Sequence, residues 1–237
     1  MKKLFLLLAA TTLMSVVTLK AQINDPHAEL RTISSFHAIQ VSSSFNVYLS
    51  QGETEALAVS AADDKFRDRI RSEVKDGVLK IWFDNGTGMN WNSGNKKLKA
   101  YISVKTLDKL TASGACDIYT DGTLKLESLT MIQSGASDFK GKLEVERLTV
   151  DLSGASDMLV SGKVTRLDVE ASGASDFKGF DLVTETCNAK ASGASDIKIT
   201  VNKELTAEVS GASDVRYKGD GVIRDLKSSG ASSVRKS

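Results

Sequence analysis

The chain has 237 residues, with 31 Lys and Arg against 30 Asp and Glu, and its formal net charge at pH 7 is +1. Phosphate binding needs a clustered excess of basic residues, so this balance argues against nucleic acid as a partner. The length allows one domain or two, and the composition is that of an ordinary soluble protein apart from a single Pro and 18 Gly.

Residues 1–21 have the features of a secretory signal peptide. Lys2 and Lys3 precede an apolar run that begins at Leu4, and a small residue ends the segment. The run is short and is interrupted by Thr and Ser, so we expect no transmembrane segment after signal removal. No cysteine precedes Cys116, which argues against a lipoprotein anchor. The chain is therefore predicted to be exported to the periplasm, the cell surface or the medium.

Residues 22–32 are predicted to form a flexible N-terminal arm, and strands follow it. Apolar and polar residues alternate in residues 36–41 (FHAIQV) and 45–49 (FNVYL), and a period of two indicates β-strands with one buried face. The segment VSSSFNV, residues 41–47, aligns with the copy VSGASDV of the repeat described below, which predicts a degenerate first coil. Phe45 takes the place of a small buried residue in this copy. We expect it to cap the mouth of the stack, because terminal repeats are atypical.

Between this coil and the regular repeats lies a block that is predicted to cap the stack. Residues 63–71 (DDKFRDRIR) are the one predicted helix, with Phe66 and Ile70 on the same face. We expect this helix to cover the open end of the coils, where unpaired strand edges would invite association. An Asp-Gly pair predicts a hairpin turn within residues 74–83, and residues 99–104 return to strand.

A polar loop, residues 85–97, carries Met89 and Trp91 among Asn and Gly residues. Aromatic side chains on loops are common in carbohydrate and protein recognition, because a rigid ring covers a large area at a small cost in conformational entropy. Met89 and Trp91 are therefore candidate partner contacts. The alternative is that the loop folds back and that Trp91 seals the coil stack, and the sequence leaves both interpretations open.

From residue 111 to the end, the sequence is organised by the five-residue word SGASD. Successive copies are 21, 19, 19, 20, 18 and 19 residues apart. Apolar residues alternate with polar ones around each copy, which indicates strands, and the spacing is too short for helical repeats. The sequence therefore predicts an all-β fold, a parallel β-helix with coils of about 19 residues. The copies, including the variants SGACD and SGASS, begin at Ser113, Ser134, Ser153, Ser172, Ser192, Ser210 and Ser229.

The same alternation predicts which side of the coil each residue of the word occupies. The Gly and the second Ser fall on the inward side, and the Ser occupies a small slot that Cys116 fills in the first copy. The Asp falls on the outward side. Since stacked coils lie about 4.8 Å apart, these carboxylates should form a ladder along one face. The candidate partner contacts in this ladder are Asp138, Asp157, Asp176, Asp196 and Asp214.

The Asp ladder raises the question of a bound metal. Ca²⁺ takes six to eight oxygen ligands, but calcium-binding β-helix repeats use a denser Gly/Asp pattern than one Asp in each coil. Basic residues follow four of the Asp residues at the second position, and exposed pairs of this kind contribute about 0–1 kcal/mol each. We therefore expect solvated charge ladders without a cofactor, with Ca²⁺ on the Asp ladder as the alternative. The basic residues are Lys140, Lys178, Lys198 and Arg216.

Neither the cysteines nor the histidines point to catalysis. Cys116 and Cys187 lie four coils apart, or roughly 19 Å, whereas a disulfide needs a Cα separation below about 7 Å, so both are predicted to be buried free thiols. His27 and His37 are the only histidines, and both are N-terminal. An active site requires one coil that departs from its neighbours, and the copies are nearly identical. We therefore predict no catalytic, cofactor-binding or metal-binding residues.

The strand pattern of the N-terminal block and the SGASD repeats together resemble the head GIN domain family of putative auto-transporter adhesins, which are exported proteins of Bacteroidetes-type bacteria. The N-terminal part of the resemblance lies in residues 36–41, 45–49 and 76–81 (DGVLKI). It extends from about residue 33 to the end. The resemblance implies a right-handed parallel β-helix similar to pectin-lyase folds, no recognised catalytic residues, and a role in adhesion.

The sequence thus predicts a single β-helix domain over residues 33–237, with a degenerate first coil and capping block (33–110) before the repeats (111–237). We expect an exported, non-catalytic binding or adhesion module that presents one face to a glycan or to an envelope or surface protein. A self-assembling envelope scaffold is the alternative, because only Arg235 and Lys236 protect the edge of the C-terminal coil. A polysaccharide-active β-helix enzyme is the third hypothesis.

Overall fold

The structure is a computed structural model that describes residues 25–86 and 95–237, and it is a parallel β-helix of about seven coils. The predicted signal peptide, residues 1–21, and the candidate contacts Met89 and Trp91 lie outside the described residues. In the part of the chain that is described, no helix has the length and apolar character needed to cross a membrane.

Sixteen strands and one short helix make up the described fold. The helix is α1 (Asp64–Arg67). The strands are β1 (Glu29–Arg31), β2 (Ala38–Ser43), β3 (Phe45–Gln51), β4 (Ala56–Ser60), β5 (Ile70–Lys75), β6 (Val78–Phe83), β7 (Leu98–Val104), β8 (Lys109–Gly114), β9 (Asp117–Gln133), β10 (Asp138–Leu152), β11 (Asp157–Ala171), β12 (Asp176–Ala191), β13 (Asp196–Val209), β14 (Asp214–Lys218), β15 (Val222–Ser228) and β16 (Ser233–Lys236).

Each of the long strands β9 to β13 runs around most of a coil and bends along its length. The first part of β9 pairs with β3 and its last part pairs with β8, and all of these pairings are parallel. We call the face that follows each motif Asp the Asp face, and the face that precedes the next motif the second face. The coils stack in register, so that Asp138 pairs with Asp157 and Leu148 with Leu167.

The chain turns from the second face to the Asp face at the Ser-Gly-Ala of each motif. Gly154 has a φ of 79° and Gly173 a φ of 76°, in the left-handed region that Gly adopts without steric cost. The prediction that the motif Gly points inward is wrong. Leu152 and Ser156 are buried, but Gly154 between them is exposed, because the left-handed turn resets the alternation. These corners stack directly, and the Ala174 amide donates to the Gly154 carbonyl at 2.8 Å.

The predicted inward position of the second Ser is confirmed. The Ser156 hydroxyl donates to the carbonyl of Ser153 at 3.0 Å, and the Ser156 amide donates to the hydroxyl of Ser175 in the next coil at 3.3 Å. Each buried hydroxyl thus has a partner, as a buried polar group requires. Five of these side chains have no exposed surface: Ser137, Ser156, Ser175, Ser195 and Ser213.

Cys116 occupies the Ser slot in the first copy, and its Sγ donates to the Ser113 carbonyl at 3.4 Å. Cys116 and Cys187 are both buried and free, as predicted. Burial raises the pKa of both thiols, so they are protonated at neutral pH and behave as small apolar core residues.

The degenerate first coil is confirmed, but it is not the end of the stack. Asn46 pairs with Asp117, and Ser43, with a φ of 89°, stands where the repeats have the motif Gly. Beyond this coil, β6 pairs with β2 and β7 pairs with β3, both parallel. Phe45 therefore pairs with Leu98 inside the stack rather than capping its mouth.

The stack ends in antiparallel strands. β5 pairs with β6, and β4 pairs with β7 on one side and with β1 on the other. The arm predicted over residues 22–32 is thus paired over Glu29–Arg31. The Asp76-Gly77 turn of the β5–β6 hairpin has the positive φ values, 53° and 74°, that a two-residue hairpin turn needs.

The predicted helix over residues 63–71 is reduced to the single turn of α1. Its N-terminus is capped by Asp63, whose side chain accepts the Lys65 amide. Phe66 and Ile70 are both buried, as the helical pattern suggested, but Ile70 already belongs to β5. Pairing with β6 overrides the helical preference of this segment, since short isolated helices are marginal in water.

We expect Gly173→Ala to lower the free energy of unfolding by more than 2 kcal/mol. The left-handed conformation alone costs a non-Gly residue about 1–2 kcal/mol, and a Cβ at this position would lie 2.5 Å from the Gly154 carbonyl oxygen. Gly122→Ala is the matched control, because Gly122 has a φ of 81° but no atom within 4 Å of its would-be Cβ. Urea denaturation followed by circular dichroism measures both losses. Equal losses of unfolding free energy in the two variants would show that the close stacking of the corners does not contribute to stability.

Candidate functional site

The motif Asp side chains form the predicted ladder along the Asp face. Asp117, Asp138, Asp157, Asp176, Asp196 and Asp214 are successive register partners. Asn46 extends the ladder at one end and Ser233 at the other. Asp138 is exposed and the others are half-buried, so the predicted outward direction is confirmed.

Three carboxylates in the C-terminal part of this ladder, Asp157, Asp176 and Asp214, have basic partners. Lys178 lies 2.6 Å from Asp157 and 3.3 Å from Asp176, and it joins the two carboxylates of adjacent coils. The Ser233 hydroxyl donates to Asp214 at 2.6 Å, and this bond, with the Arg216 guanidinium, lowers the pKa of Asp214 despite its partial burial.

The N-terminal part of the ladder has no such compensation. No cation among the described residues lies within 4.0 Å of Asp117 or Asp138. Burial, with the nearby charge of Asp138, raises the pKa of Asp117. Over residues 25–86 and 95–237, no group of three or more His, Cys, Asp or Glu side chains is arranged to hold a metal ion. Each coil contributes a single carboxylate to the ladder, and Ca²⁺ binding stays a hypothesis.

A second ladder runs beside the first, two residues further along each strand. This ladder was predicted to be basic at four positions, and the structure adds Arg235 as a fifth basic member. The prediction missed the aromatic and aliphatic members, although Tyr48 and Tyr119 stand two residues after Asn46 and Asp117 and could have been found by the same alignment. In register order the ladder is Tyr101, Tyr48, Tyr119, Lys140, Leu159, Lys178, Lys198, Arg216 and Arg235.

The three tyrosines of this ladder stack on one another. The ring centroids of Tyr48 and Tyr101 are 5.1 Å apart and those of Tyr48 and Tyr119 are 5.7 Å apart, with interplanar angles of 15° and 23°. Aromatic pairs at this distance contribute roughly 0.5–1.5 kcal/mol beyond burial. Tyr119 ends the stack and keeps 38% of its surface exposed.

The other end of the stack is anchored by the N-terminal segment. Asp25 accepts hydrogen bonds from the Tyr101 hydroxyl at 2.8 Å and from the Lys99 ammonium at 2.9 Å, and its side chain is only 7% exposed. Burial raises the pKa of Asp25, but these hydrogen bonds lower it more and leave it at about 2. Burial and the Asp25 hydrogen bond raise the pKa of Tyr101 to about 12. Tyr101 is therefore fixed as a neutral hydrogen-bond donor.

A groove lies beside Tyr119, because adjacent coils differ in length at the bend that follows the Asp face. Between the register pairs Tyr119–Lys140 and Thr123–Lys142, β9 has three residues and β10 has one. On the far side, β12 has two residues where β11 has only Val160. The longer bends of β9 and β12 form the walls, and the shorter bends of β10 and β11 form the floor.

The groove has a volume of about 430 Å³. Gly141 lies in its floor, where a Cβ would come within 2.7 Å of both the Thr120 and Phe139 side chains. Tyr119 and Leu159 are the large apolar side chains exposed in it, at 38% and 44%. The lining residues are Tyr119, Thr120, Gly122, Lys140, Gly141, Lys142, Leu159, Val160, Ser161 and Asp181.

The charged side chains of the groove are Lys140, Lys142 and Asp181. In the described part of the chain, none of the three has an ion pair within 4.0 Å, in contrast to Lys178 one ladder position beyond Leu159. The expectation that no coil departs from its neighbours was therefore wrong. The signal was the uneven spacing of 21, 19, 19, 20 and 18 residues, which shows that the coils differ in length, and the strand register places the extra residues at this bend.

Comparisons with known proteins agree with this architecture. Residues 35–221 match the protein family described as "Putative auto-transporter adhesin, head GIN domain". A crystal structure of a putative adhesin from Bacteroides fragilis superposes with a TM-score of 0.83 at 21% identity, covering 89% of this chain and 96% of that one. A putative lipid binding protein from Parabacteroides distasonis superposes with a TM-score of 0.69 at 21% identity, covering 90% and 97%.

A third solved structure, of a putative adhesin from Parabacteroides merdae, has a TM-score of 0.68 at 21% identity and covers 89% of this chain and 95% of that one. At such identities the likeness shows a common fold. A comparison with curated proteins finds no match.

We expect Asp25→Asn to lower the free energy of unfolding at pH 7 by up to about 2 kcal/mol. The folded pKa of about 2 lies below the ordinary value of 3.8, so the carboxylate stabilises the fold above pH 4 and this contribution is lost as the pH falls towards 2. Urea denaturation at pH 7, 4 and 2.5 measures the free energy of unfolding. Between pH 7 and pH 2.5, Asp25→Asn should lose less of this free energy than the wild type. Asp121→Asn, which removes an exposed carboxylate without an ion pair, is the control. If the stability of Asp25→Asn depends on pH in the same way as that of the wild type, the ionised Asp25 carboxylate does not stabilise the fold.

Proposed function

We propose that this chain, which belongs to the family described as putative auto-transporter adhesin, head GIN domain, is an exported binding module that holds a glycan or a surface protein in the groove beside Tyr119. The family and the adhesin-like relatives support a role in adhesion. The signal-like features of residues 1–21 support export to the periplasm, the cell surface or the medium.

The observation that carries the proposal is the pair of exposed apolar side chains in an otherwise charged ladder. Tyr119 and Leu159 flank Lys140 at positions where the later coils have Lys or Arg. Neither side chain is needed to fill the core, because both point outward from their strands. Exposed apolar groups in a depression that also holds polar groups are typical of a ligand site.

The ionisable groups of the groove favour binding over catalysis. In the described residues, no hydrogen bond or ion pair joins any two of Lys140, Lys142 and Asp181. A catalytic nucleophile or base is normally oriented by a hydrogen-bonded neighbour. The groove side chains instead face solvent singly, which suits them to contact a ligand.

We expect Tyr119→Ala to weaken binding about tenfold or more, because truncation of a central aromatic contact commonly costs 2 kcal/mol or more. The measurement is binding of the purified mature chain, residues 22–237, to a panel of immobilised glycans and to intact bacterial cells. Val183→Ala is the matched control. Val183 is 39% exposed in the middle of β12 and does not line the groove, and its truncation should leave binding unchanged. Equal binding by wild type and Tyr119→Ala would overturn the proposal.

A second candidate function, self-assembly into a scaffold, is favoured by β15. Ile223 and Leu226 are 38% and 46% exposed, although their register partners Leu205 and Ala207 are buried. These side chains thus occupy core positions of their coil and still face solvent. An edge strand with exposed apolar residues is a template for pairing with another chain.

If this surface mediates assembly, the mass measured by light scattering should rise with protein concentration for the wild type and stay monomeric for Leu226→Ser. Leu159→Ser, which removes a leucine of similar exposure from the groove, serves as the control and should assemble normally. A wild-type chain that stays monomeric at every concentration would exclude the scaffold function for the isolated protein.

A further inference from the structure

We infer that the groove recognises a carboxylated sugar, such as a uronic or sialic acid unit of a glycan. This inference rests on the proposed function, and it names the ligand class of the same site. Three features carry it: two lysines without an ion pair among the described residues, an exposed tyrosine ring, and hydrogen-bonding groups on the far side of the groove.

The first feature is the charge. Lys140 and Lys142 are both exposed and lie on either side of Gly141 in the floor of the groove. Lys178, by contrast, is already neutralised by Asp157 and Asp176. Two ammonium groups that the fold leaves without a partner among the described residues give the groove a net positive lining, even with Asp181 on its far wall. An anionic ligand complements this charge.

The second feature is the ring. One face of Tyr119 is covered by Tyr48, whose ring centroid is 5.7 Å away. On the side away from Tyr48, the next ladder position is occupied by Lys140, and Tyr119 keeps 38% of its surface exposed at the edge of the groove. The C–H groups of a sugar ring would pack against this exposed part of the tyrosine. Leu159, on the other side of Lys140, would contact the apolar C–H groups of the same sugar.

The third feature is the polar groups that surround this position. Asp181 lies on the wall opposite Tyr119, its register partner Ser161 lies beside it on β11, and both line the groove. A carboxylate without an ion pair accepts hydrogen bonds from sugar hydroxyls, and a serine hydroxyl both donates and accepts. Apolar stacking at one end with convergent polar groups at the other is a common plan of small-ligand sites, which span roughly 300–1,000 Å³. The groove, at about 430 Å³, lies within that range.

A carboxylated sugar fits these features better than a neutral sugar, which would leave two lysines without a partner. It also fits better than an acidic peptide. A peptide offers a carboxylate but lacks the flat array of C–H groups and hydroxyls that would match Tyr119 and Asp181. Binding of a neutral sugar or of an acidic peptide is therefore an outcome that the experiment must be able to reveal.

The experiment uses isothermal titration calorimetry on the mature chain with two acidic probes, a hyaluronan tetrasaccharide and 3′-sialyllactose. Each probe is compared with its carboxyl methyl ester, which removes the charge and keeps the sugar rings. We expect at least one acid to bind, its ester to bind about tenfold more weakly, and the affinity for the acid to fall as salt is raised. Equal binding of acid and ester, or no binding of either acid at millimolar concentration, would overturn the inference. Equal binding of a poly-glutamate peptide would do so as well.

Two variants locate the contact. Lys140→Gln and Lys142→Gln should each weaken the acid about fivefold or more and leave the ester unaffected. Lys198→Gln is the matched control, since Lys198 lies in the same ladder, has no ion pair within 4.0 Å in the described residues, and lies outside the groove. Loss of affinity in Lys198→Gln equal to that in Lys140→Gln would place the contact elsewhere. All three exposed substitutions should leave thermal unfolding unchanged.

These outcomes separate the inference from the proposed function. If Tyr119→Ala abolishes binding to a glycan of the panel while the acid and the ester bind alike, the groove is the site and the ligand class is wrong. If Tyr119→Ala binds every partner like the wild type, the groove is not the site, and both fail.

Discussion

The whole structure depends on the close stacking of the Ser-Gly-Ala corners. Each motif Gly lies directly against the Gly of the preceding coil, and a Cβ at Gly154 or Gly193 would fall 2.5–2.6 Å from the carbonyl oxygen beneath it. The following Ala amide donates to that same carbonyl at 2.8 Å. This contact allows no slip between coils, because a shift by one residue would place a side chain where only Gly fits. The stacking of these corners therefore also sets the register of the Ser, Asp and Tyr ladders.

The same constraint explains where the candidate site lies. Since the Ser-Gly-Ala corner cannot absorb an extra residue, coils of different length differ at the bends along the strands, and at the groove they differ at the bend that follows the Asp face. The longer bend of β9 and that of β12 protrude there, and the shorter bends of β10 and β11 form the floor between them. A groove thus arises from small differences in coil length, without any change in the corners or the core. Stability and recognition are located on different parts of each coil.

The Asp face is accordingly divided along its length. In the C-terminal coils, Lys178 and Arg216 neutralise the ladder carboxylates, and the surface is a solvated array of exposed ion pairs that contribute little to stability. In the N-terminal coils, the tyrosine stack, anchored at Asp25, ends at the groove, and Lys140 and Lys142 lie beyond it without partners among the described residues. Three of the four ladder carboxylates from Asp157 to Asp214 thus have basic partners, whereas Lys140 and Lys142 beside the groove stay available for a ligand.

The sequence by itself determined the coil, its period, the inward Ser, the outward Asp and the free cysteines, because a period of two and a repeated word are local properties of the chain. It could not determine the direction of the motif Gly, since a left-handed φ at Gly154 breaks the alternation without changing the pattern. Nor could it show that Ile70 leaves α1 for β5, because pairing with β6 decides that. Only the tertiary structure placed Tyr101 on Tyr48 and brought Tyr119 to the edge of a groove whose far wall holds Asp181. These residues are separated along the chain, and only the stacking of coils in register brings them together.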